Sequence, residues 1–116
     1  MASFETTLVR KERCGSDVVL GRIARPDGYE YRAGQWFRLR LETDEGEQAR
    51  TFSIASAPAD PFIEFATRLS GSAFKRALDA MPEGSSVVIS GPGGSFGVPP
   101  DVTRVLFLVG GVGVTP

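Results

Sequence analysis

The sequence contains no histidine and a single cysteine, Cys14. Without histidine there is no Ser-His-Asp triad, no Cys-His pair and none of the usual zinc sites. One thiol forms no internal disulfide, and it falls short of the roughly four protein ligands an iron–sulfur cluster takes. Long apolar runs are missing too: the longest, Val105 to Val109, is far too short to span a bilayer. Met1-Ala2-Ser3-Phe4-Glu5 lacks the basic-then-apolar pattern of a signal peptide, so a cytoplasmic location is expected. Nor does one sign of charge dominate: 13 Lys and Arg stand against 14 Asp and Glu, for a formal net charge of −1 and a pI near 5.4. That balance excludes a basic field for nucleic acid and a polybasic patch for acidic lipid, so neither partner is expected. Chemistry, if there is any, then falls to a bound organic cofactor.

What the sequence does have is strand patterning. At 41% hydrophobic and 23% charged over 116 residues, the chain reads as a soluble globular protein with one main core. Phe4 to Lys11 and Asp17 to Arg25 are predicted strands separated by Cys14-Gly15-Ser16, and Pro26-Asp27-Gly28 is a strong turn. From Gln35 to Glu42, Phe37, Leu39 and Leu41 alternate with Trp36, Arg38, Arg40 and Glu42, the period of a half-buried strand. Asp44-Glu45-Gly46-Glu47 is a polar hairpin turn into a strand from Gln48 to Ser56, and Phe62 to Leu69 is the next strand. Phe74, Ala77, Leu78 and Met81 then follow helical spacing, with Ser72 as N-cap and Pro82 and Gly84 as the stop. Ser86 to Ser90 returns to a strand before Gly91-Pro92-Gly93-Gly94-Ser95-Phe96-Gly97.

Six short strands and one small helix predict an all-β fold, a closed or nearly closed antiparallel barrel. Arg104 to Val109 is different. It is apolar on both faces, as in a strand inside a parallel sheet covered by helices. No internal repeat or low-complexity stretch is present.

Four segments can carry chemistry. Arg50-Thr51-Phe52-Ser53 sets a guanidinium, a ring and a hydroxyl on one strand, with Arg50 and Phe52 on one face and Ser53 on the other. An arginine fork clamps a diphosphate, a ring packs on a flat heterocycle, and a serine bonds a ring nitrogen. The same residues also make an ordinary half-buried strand. Thr67-Arg68-Leu69-Ser70-Gly71-Ser72-Ala73-Phe74-Lys75 runs a strand into a helix N-terminus, which is either a plain cap or a phosphate site backed by Arg68 and Lys75. The glycine-rich 91–97 segment reads as a structural turn. Gly110-Gly111-Val112-Gly113-Val114-Thr115-Pro116 follows the doubly apolar segment, the place where backbone approaches a pyrophosphate in α/β folds.

Taken in order, these segments resemble the ferredoxin–NADP reductase superfamily: its Arg-x-Tyr/Phe-Ser motif at Arg50–Ser53, its Gly-x-x-Ser helix start near Gly71, its Gly-Pro-x-Gly-x-Phe at Gly91–Phe96 and its Gly-Gly-x-Gly-x-Thr-Pro at Gly110–Pro116. The resemblance implies a six-stranded Greek-key barrel over 1–100 that binds FAD. It also implies that 101–116 is the first strand and glycine turn of an α/β nicotinamide-binding domain. By the same resemblance Arg50, Ser72, Ala73 and Lys75 contact the FAD diphosphate, with Thr51, Thr67, Arg68 and Phe74 in the same two segments. Phe52, Ser53 and Thr115 would set the flavin. Two departures stand out: phenylalanine replaces the common tyrosine at Phe52, and Phe74 stands where the helix motif has its serine. The implied reaction is hydride transfer from NADH or NADPH to the flavin and electron transfer to an acceptor protein. The chain is expected to be cut short of its nicotinamide domain and catalytically incomplete alone. The alternatives are a non-catalytic flavin-binding module whose 104–109 strand is covered in a homo-oligomer, and a small oligonucleotide- or peptide-binding barrel, against which the charge balance argues.

Overall fold

The computed structural model describes residues 2–116. Its strands are β1 (Ser3–Cys14), β2 (Val18–Ala24), β3 (Trp36–Thr43), β4 (Gly46–Ser53), β5 (Phe62–Arg68) and β6 (Ser86–Gly93), with helix α1 (Ala73–Ala80) between the last two. They form one six-stranded antiparallel sheet in the order β4-β3-β6-β1-β2-β5. Hairpins join β1 to β2 and β3 to β4, whereas β6 crosses over to lie between β3 and β1, the expected Greek-key arrangement. The sheet curls into a half-barrel. Its edge strands are bridged just past β4, where the Ala55 N–H donates to the Glu64 carbonyl at 2.7 Å and the Glu64 N–H to Ser56 Oγ at 3.0 Å.

The alternation expected from the sequence sets the core. Phe37, Leu39 and Leu41 of β3 and Ile63 and Phe65 of β5 point inward and are buried. Helix α1 contributes Phe74 and Leu78, both fully buried, with Met81 packed at the margin. Burying a side chain of this size contributes about 1.5–3 kcal/mol each, so the interior face of the curl is the main source of stability. One polar group is caught inside: Tyr29 Oη is buried without a hydrogen-bond partner. Burial first, and the neighbouring Tyr31 second, push its pKa up to about 12, against the opposing pull of Arg25.

β1 changes partner along its length. Ser3 to Thr7 pair with β6, and from Leu8 to Cys14 the strand pairs with β2, with a bulge between Leu8 and Arg10. The edge that β6 leaves is taken over by the turn after α1: the Leu8 N–H donates to Ser85 O at 2.9 Å and the Gly84 N–H to Leu8 O at 2.7 Å.

The glycine-rich stretch differs from its sequence reading in extent. β6 runs on past Ser90 to Gly93, because Gly93 pairs with Trp36 and leaves room for the indole. Any Cβ at Gly93 would collide with that ring. β4 ends at Ser53 and not at Ser56, since after the Ile54 N–H bonds Gln35 O the chain crosses to β5, where the Ala55 N–H meets Glu64 O.

The predicted strand from Arg104 to Val109 does not form. Those residues pair with no strand, and the only regular structure after β6 is a 3-10 turn, Gly111–Val114. Leu106 and Leu108 are 84% and 88% exposed. A strand apolar on both faces needs neighbours at its edges and a layer over each face, and the described residues supply neither.

Candidate functional site

β4 is the edge strand facing the open side of the curl. Arg50 pairs with Leu39 and Phe52 with Phe37, so both belong to the inner face. Phe52 sits in an aromatic cluster, with ring centroids 4.9 Å from Phe65, 5.9 Å from Phe74 and 6.1 Å from Phe37. The Arg50 guanidinium lies over the Phe74 ring, 5.4 Å from its centroid. Arg50 hydrogen-bonds only to the Ala49 carbonyl and Gln48 Oε1, and among the described residues it has no carboxylate partner. Its remaining donors are free for a ligand.

Against this face stands the start of α1. Ser72 is the N-cap, its Oγ accepting from the Lys75 N–H at 3.3 Å. The N–H groups of Ala73 and Phe74 are first-turn donors, which helix geometry leaves without an intrahelical acceptor. Lys75 Nζ donates to Thr67 Oγ1 at 2.7 Å and to Arg68 O at 2.6 Å, keeping one of its donors spare. Burial, and then the nearby Arg50 charge, lower the Lys75 pKa. Arg68 itself is loosely paired with Asp17 at 3.7 Å.

The electrostatics of this corner are unbalanced. The N-terminal end of a helix carries positive partial charge and normally attracts acidic side chains. The first turn of α1 has no acidic residue; Lys75 and Arg50 approach each other there instead. Cations crowding a positive helix end repel one another unless an anion sits among them. A negatively charged group would relieve that repulsion.

The structure separates other residues of the sequence reading from this corner. Thr51 lies on the outer face of β4, where its Oγ1 meets Arg38 Nη1 at 3.3 Å. Ser53 shares that parity and pairs with Trp36, as the alternation predicted. Phe74 and Ala73 are buried, so they offer a ligand only backbone N–H groups. Thr115 borders a second concavity of about 680 Å³ between the end of β4 and the C-terminal segment, lined by Ala55, Phe96, Leu106, Phe107 and Val109 among others. The glycine turn approaches Arg68: at Gly111 a Cβ would lie 3.8 Å from its Nη2.

Sequence reasoning missed the residues that hold the end of β4. Tyr31 Oη donates to Ala57 O at 2.6 Å and meets Ser56 Oγ at 2.9 Å. Arg25 stacks on Tyr31 with its guanidinium 4.7 Å from the ring centroid and bonds the Tyr29, Pro58 and Asp60 carbonyls. The contacts to Ser56, Ala57, Pro58 and Asp60 join residues 25 to 35 apart in the chain, and no local pattern announces them. Among the described residues no cluster of His, Cys, Asp or Glu could hold a metal, and no helix is long and apolar enough to cross a membrane.

No protein-family model matches the chain. Curated relatives do. Ferredoxin–NADP reductase B of Sorangium cellulosum is 39% identical over 118 aligned residues, which cover 97% of this chain and 48% of that protein. The glycine betaine monooxygenase reductase subunit of Pseudomonas aeruginosa is 37% identical over 74% of this chain and 25% of its own length. The propane 2-monooxygenase reductase component of Rhodococcus jostii is 32% identical over 96% of this chain and 31% of its own. The chain thus spans half or less of these relatives. Among solved structures, a ferredoxin–NADP+ reductase from Plasmodium falciparum with 2'P-AMP superposes with a TM-score of 0.75 at 18% identity, over 86% of this chain and 42% of that one. One from Neisseria gonorrhoeae with bound FAD and NADP gives 0.69 at 22% identity, over 75% and 36%. On sequence and fold together, the barrel of this chain belongs to the ferredoxin–NADP reductase superfamily.

Proposed function

We propose that the chain binds FAD as the flavin-holding part of an NAD(P)H-dependent oxidoreductase that delivers electrons to a partner protein. The observation that carries this reading is the approach of Arg50 and Lys75, neither paired with a carboxylate among the described residues, at the positive end of α1. A diphosphate there neutralises the repulsion. Arg50 grips it through its planar fork, and the Phe74 ring beneath holds the guanidinium flat. The first-turn N–H groups of Ala73 and Phe74 and the spare donor of Lys75 complete the cradle, with Ser72, Thr67 and Arg68 keeping Lys75 in place. An anion beside Lys75 also restores its charge against burial.

In this reading the ring portion extends along β4 past Phe52 and Ser53 toward the concavity bordered by Thr115, and Thr51 supports the strand from its outer face. When bound, the flavin supplies two-electron acceptance from a nicotinamide and release to an acceptor. Residues 101–116 open the nicotinamide-binding domain, and the electron acceptor is a separate protein. The balanced charge suits work in the cytoplasm.

Purifying the 116-residue chain and titrating it with FAD tests the proposal. The expected result is saturable uptake with a perturbed flavin absorbance band; a colourless protein that takes up no FAD contradicts it. Steady-state assays with NADH or NADPH and a dye acceptor are expected to show no efficient turnover by these residues alone. Fast turnover would overturn the assignment of the nicotinamide site to other polypeptide.

The exposure of Leu106, Phe107 and Leu108 favours a second reading, in which two copies cover this segment mutually. Sedimentation at several concentrations distinguishes it: a monomer throughout rules it out.

A further inference from the structure

The candidate anion cradle stands on a helix of only eight residues, too short to hold its own position. Its N-terminal end carries cations, yet its last turn contains no basic residue to offset the negative end. That charge comes from β1. Lys11 Nζ donates to the carbonyls of Leu78 at 3.2 Å, Asp79 at 2.5 Å and Met81 at 2.6 Å, meeting all three with one ammonium. The Lys11 N–H is held in turn by Glu83 Oε2 at 2.9 Å, and Arg13 Nη2 reaches Asp79 Oδ1 at 2.9 Å.

The strand is free to do this because of its partner switch. Beyond Thr7, β6 no longer occupies that edge of β1, and the chain from Leu78 to Ser85 docks there. Of the two cations that β1 sends to the helix end, only Lys11 is aimed at its backbone carbonyls. The core holds one side of α1 through Phe74 and Leu78, and Lys75 and Arg76 tie its first turns to Thr67, Arg68 O and Asp44. At the C-terminal end the charged clamp is Lys11.

We infer that Lys11 is a positioning residue for cofactor binding: by clamping the C-terminal carbonyls of α1 it sets where the N-terminal donors and Lys75 meet the diphosphate. This rests on the FAD reading above. Lys11 lies at the opposite end of α1 from the first-turn donors. Its effect must therefore be specific to the phosphate-bearing part of the flavin.

The test compares FAD with riboflavin, which has the ring but no phosphate, on the full chain and on Lys11→Met, by flavin fluorescence and absorbance titration. Removing the clamp is expected to weaken FAD roughly tenfold, the scale of charge-assisted hydrogen bonds, while riboflavin affinity changes by less than about twofold. Lys11→Arg, which keeps a cation at the helix end, is expected to recover most of the FAD affinity. Should Lys11→Met fail to fold, Lys11→Gln, which keeps donors without the charge, reads the same ratio. Unchanged FAD affinity, or an equal loss for both flavins, overturns the positioning role while leaving the FAD reading intact. Absence of FAD binding by the unsubstituted chain overturns both.

Discussion

Two apolar stretches of this chain meet opposite fates. β5, from Phe62 to Arg68, buries Ile63 and Phe65 completely, whereas Val105 to Val109 stay 49–88% exposed. The difference is not hydrophobicity, since the second stretch is the more apolar. β5 alternates, so one layer beneath it suffices, and β2 pairs with it at seven consecutive positions. The C-terminal stretch is apolar on both faces and needs two covering layers and a sheet neighbour. Burial is decided by register and partners, not by composition.

Truncating the buried stretch should produce the largest effect. Phe65→Ala removes a ring that touches both Phe37 and Phe52 and is expected to cost about 3–5 kcal/mol in urea unfolding. Leu106→Ser or Leu108→Ser should move the same transition by less than about 0.5 kcal/mol. A large loss from the C-terminal substitutions would mean that this segment is covered in solution, and the contrast would collapse.

Next in size is the candidate site, where the core meets the ligand. Arg50→Ala is expected to weaken FAD by roughly ten- to a hundredfold with little change in unfolding midpoint, since the guanidinium has no ion pair to lose. Arg50→Lys should recover only part, because an ammonium cannot reproduce the fork. Isothermal titration on both variants checks this.

A smaller effect reports on the core itself. Tyr29 keeps its proton up to about 12 in the fold but ionises near 10.0 when unfolded. The unfolded chain therefore loses its proton first, and the stability this tyrosine gives is intact below pH 10.0 and lost as pH rises toward about 12. Unfolding followed against pH should show that decline in the natural chain, and Tyr29→Phe should flatten it. The same substitution relieves an unpartnered buried hydroxyl, so at neutral pH it should be neutral or stabilising by up to about 1 kcal/mol.

Smallest is the titration of Lys75, whose folded pKa lies below 10.5. Above 10.5 its burial costs nothing, and as pH falls through the folded value the ligand-free chain loses that relief. FAD affinity should run the other way, falling as pH rises through the Lys75 pKa. A pH series of FAD titrations with Lys75→Met, in which that dependence disappears, is the check.

Much of the barrel was legible because it rests on local periodicity. The alternation through Phe37, Leu39 and Leu41, the helical spacing of Phe74 and Leu78 and the Ser72 cap each state their structure within a few residues. The anion corner was legible only in pieces. Sequence set Arg50 and Lys75 in separate segments, and their approach across the open seam is a product of the sheet's curl. Motif membership carries no face, while strand parity does: it sets Thr51 on the outer side of β4, against Arg38. Lys11, Arg25 and Tyr31 were invisible because their partners lie 25–70 residues away or more in loops and helix ends. The 104–109 strand was read from composition, and composition alone does not supply a neighbour.

The most direct test of the central claim is FAD titration of the chain alongside Arg50→Ala combined with Lys75→Met. Saturable FAD binding that the double substitution abolishes, with the unfolding midpoint preserved, is the predicted result. Equal FAD binding by both proteins would show that the cationic corner does not hold the cofactor.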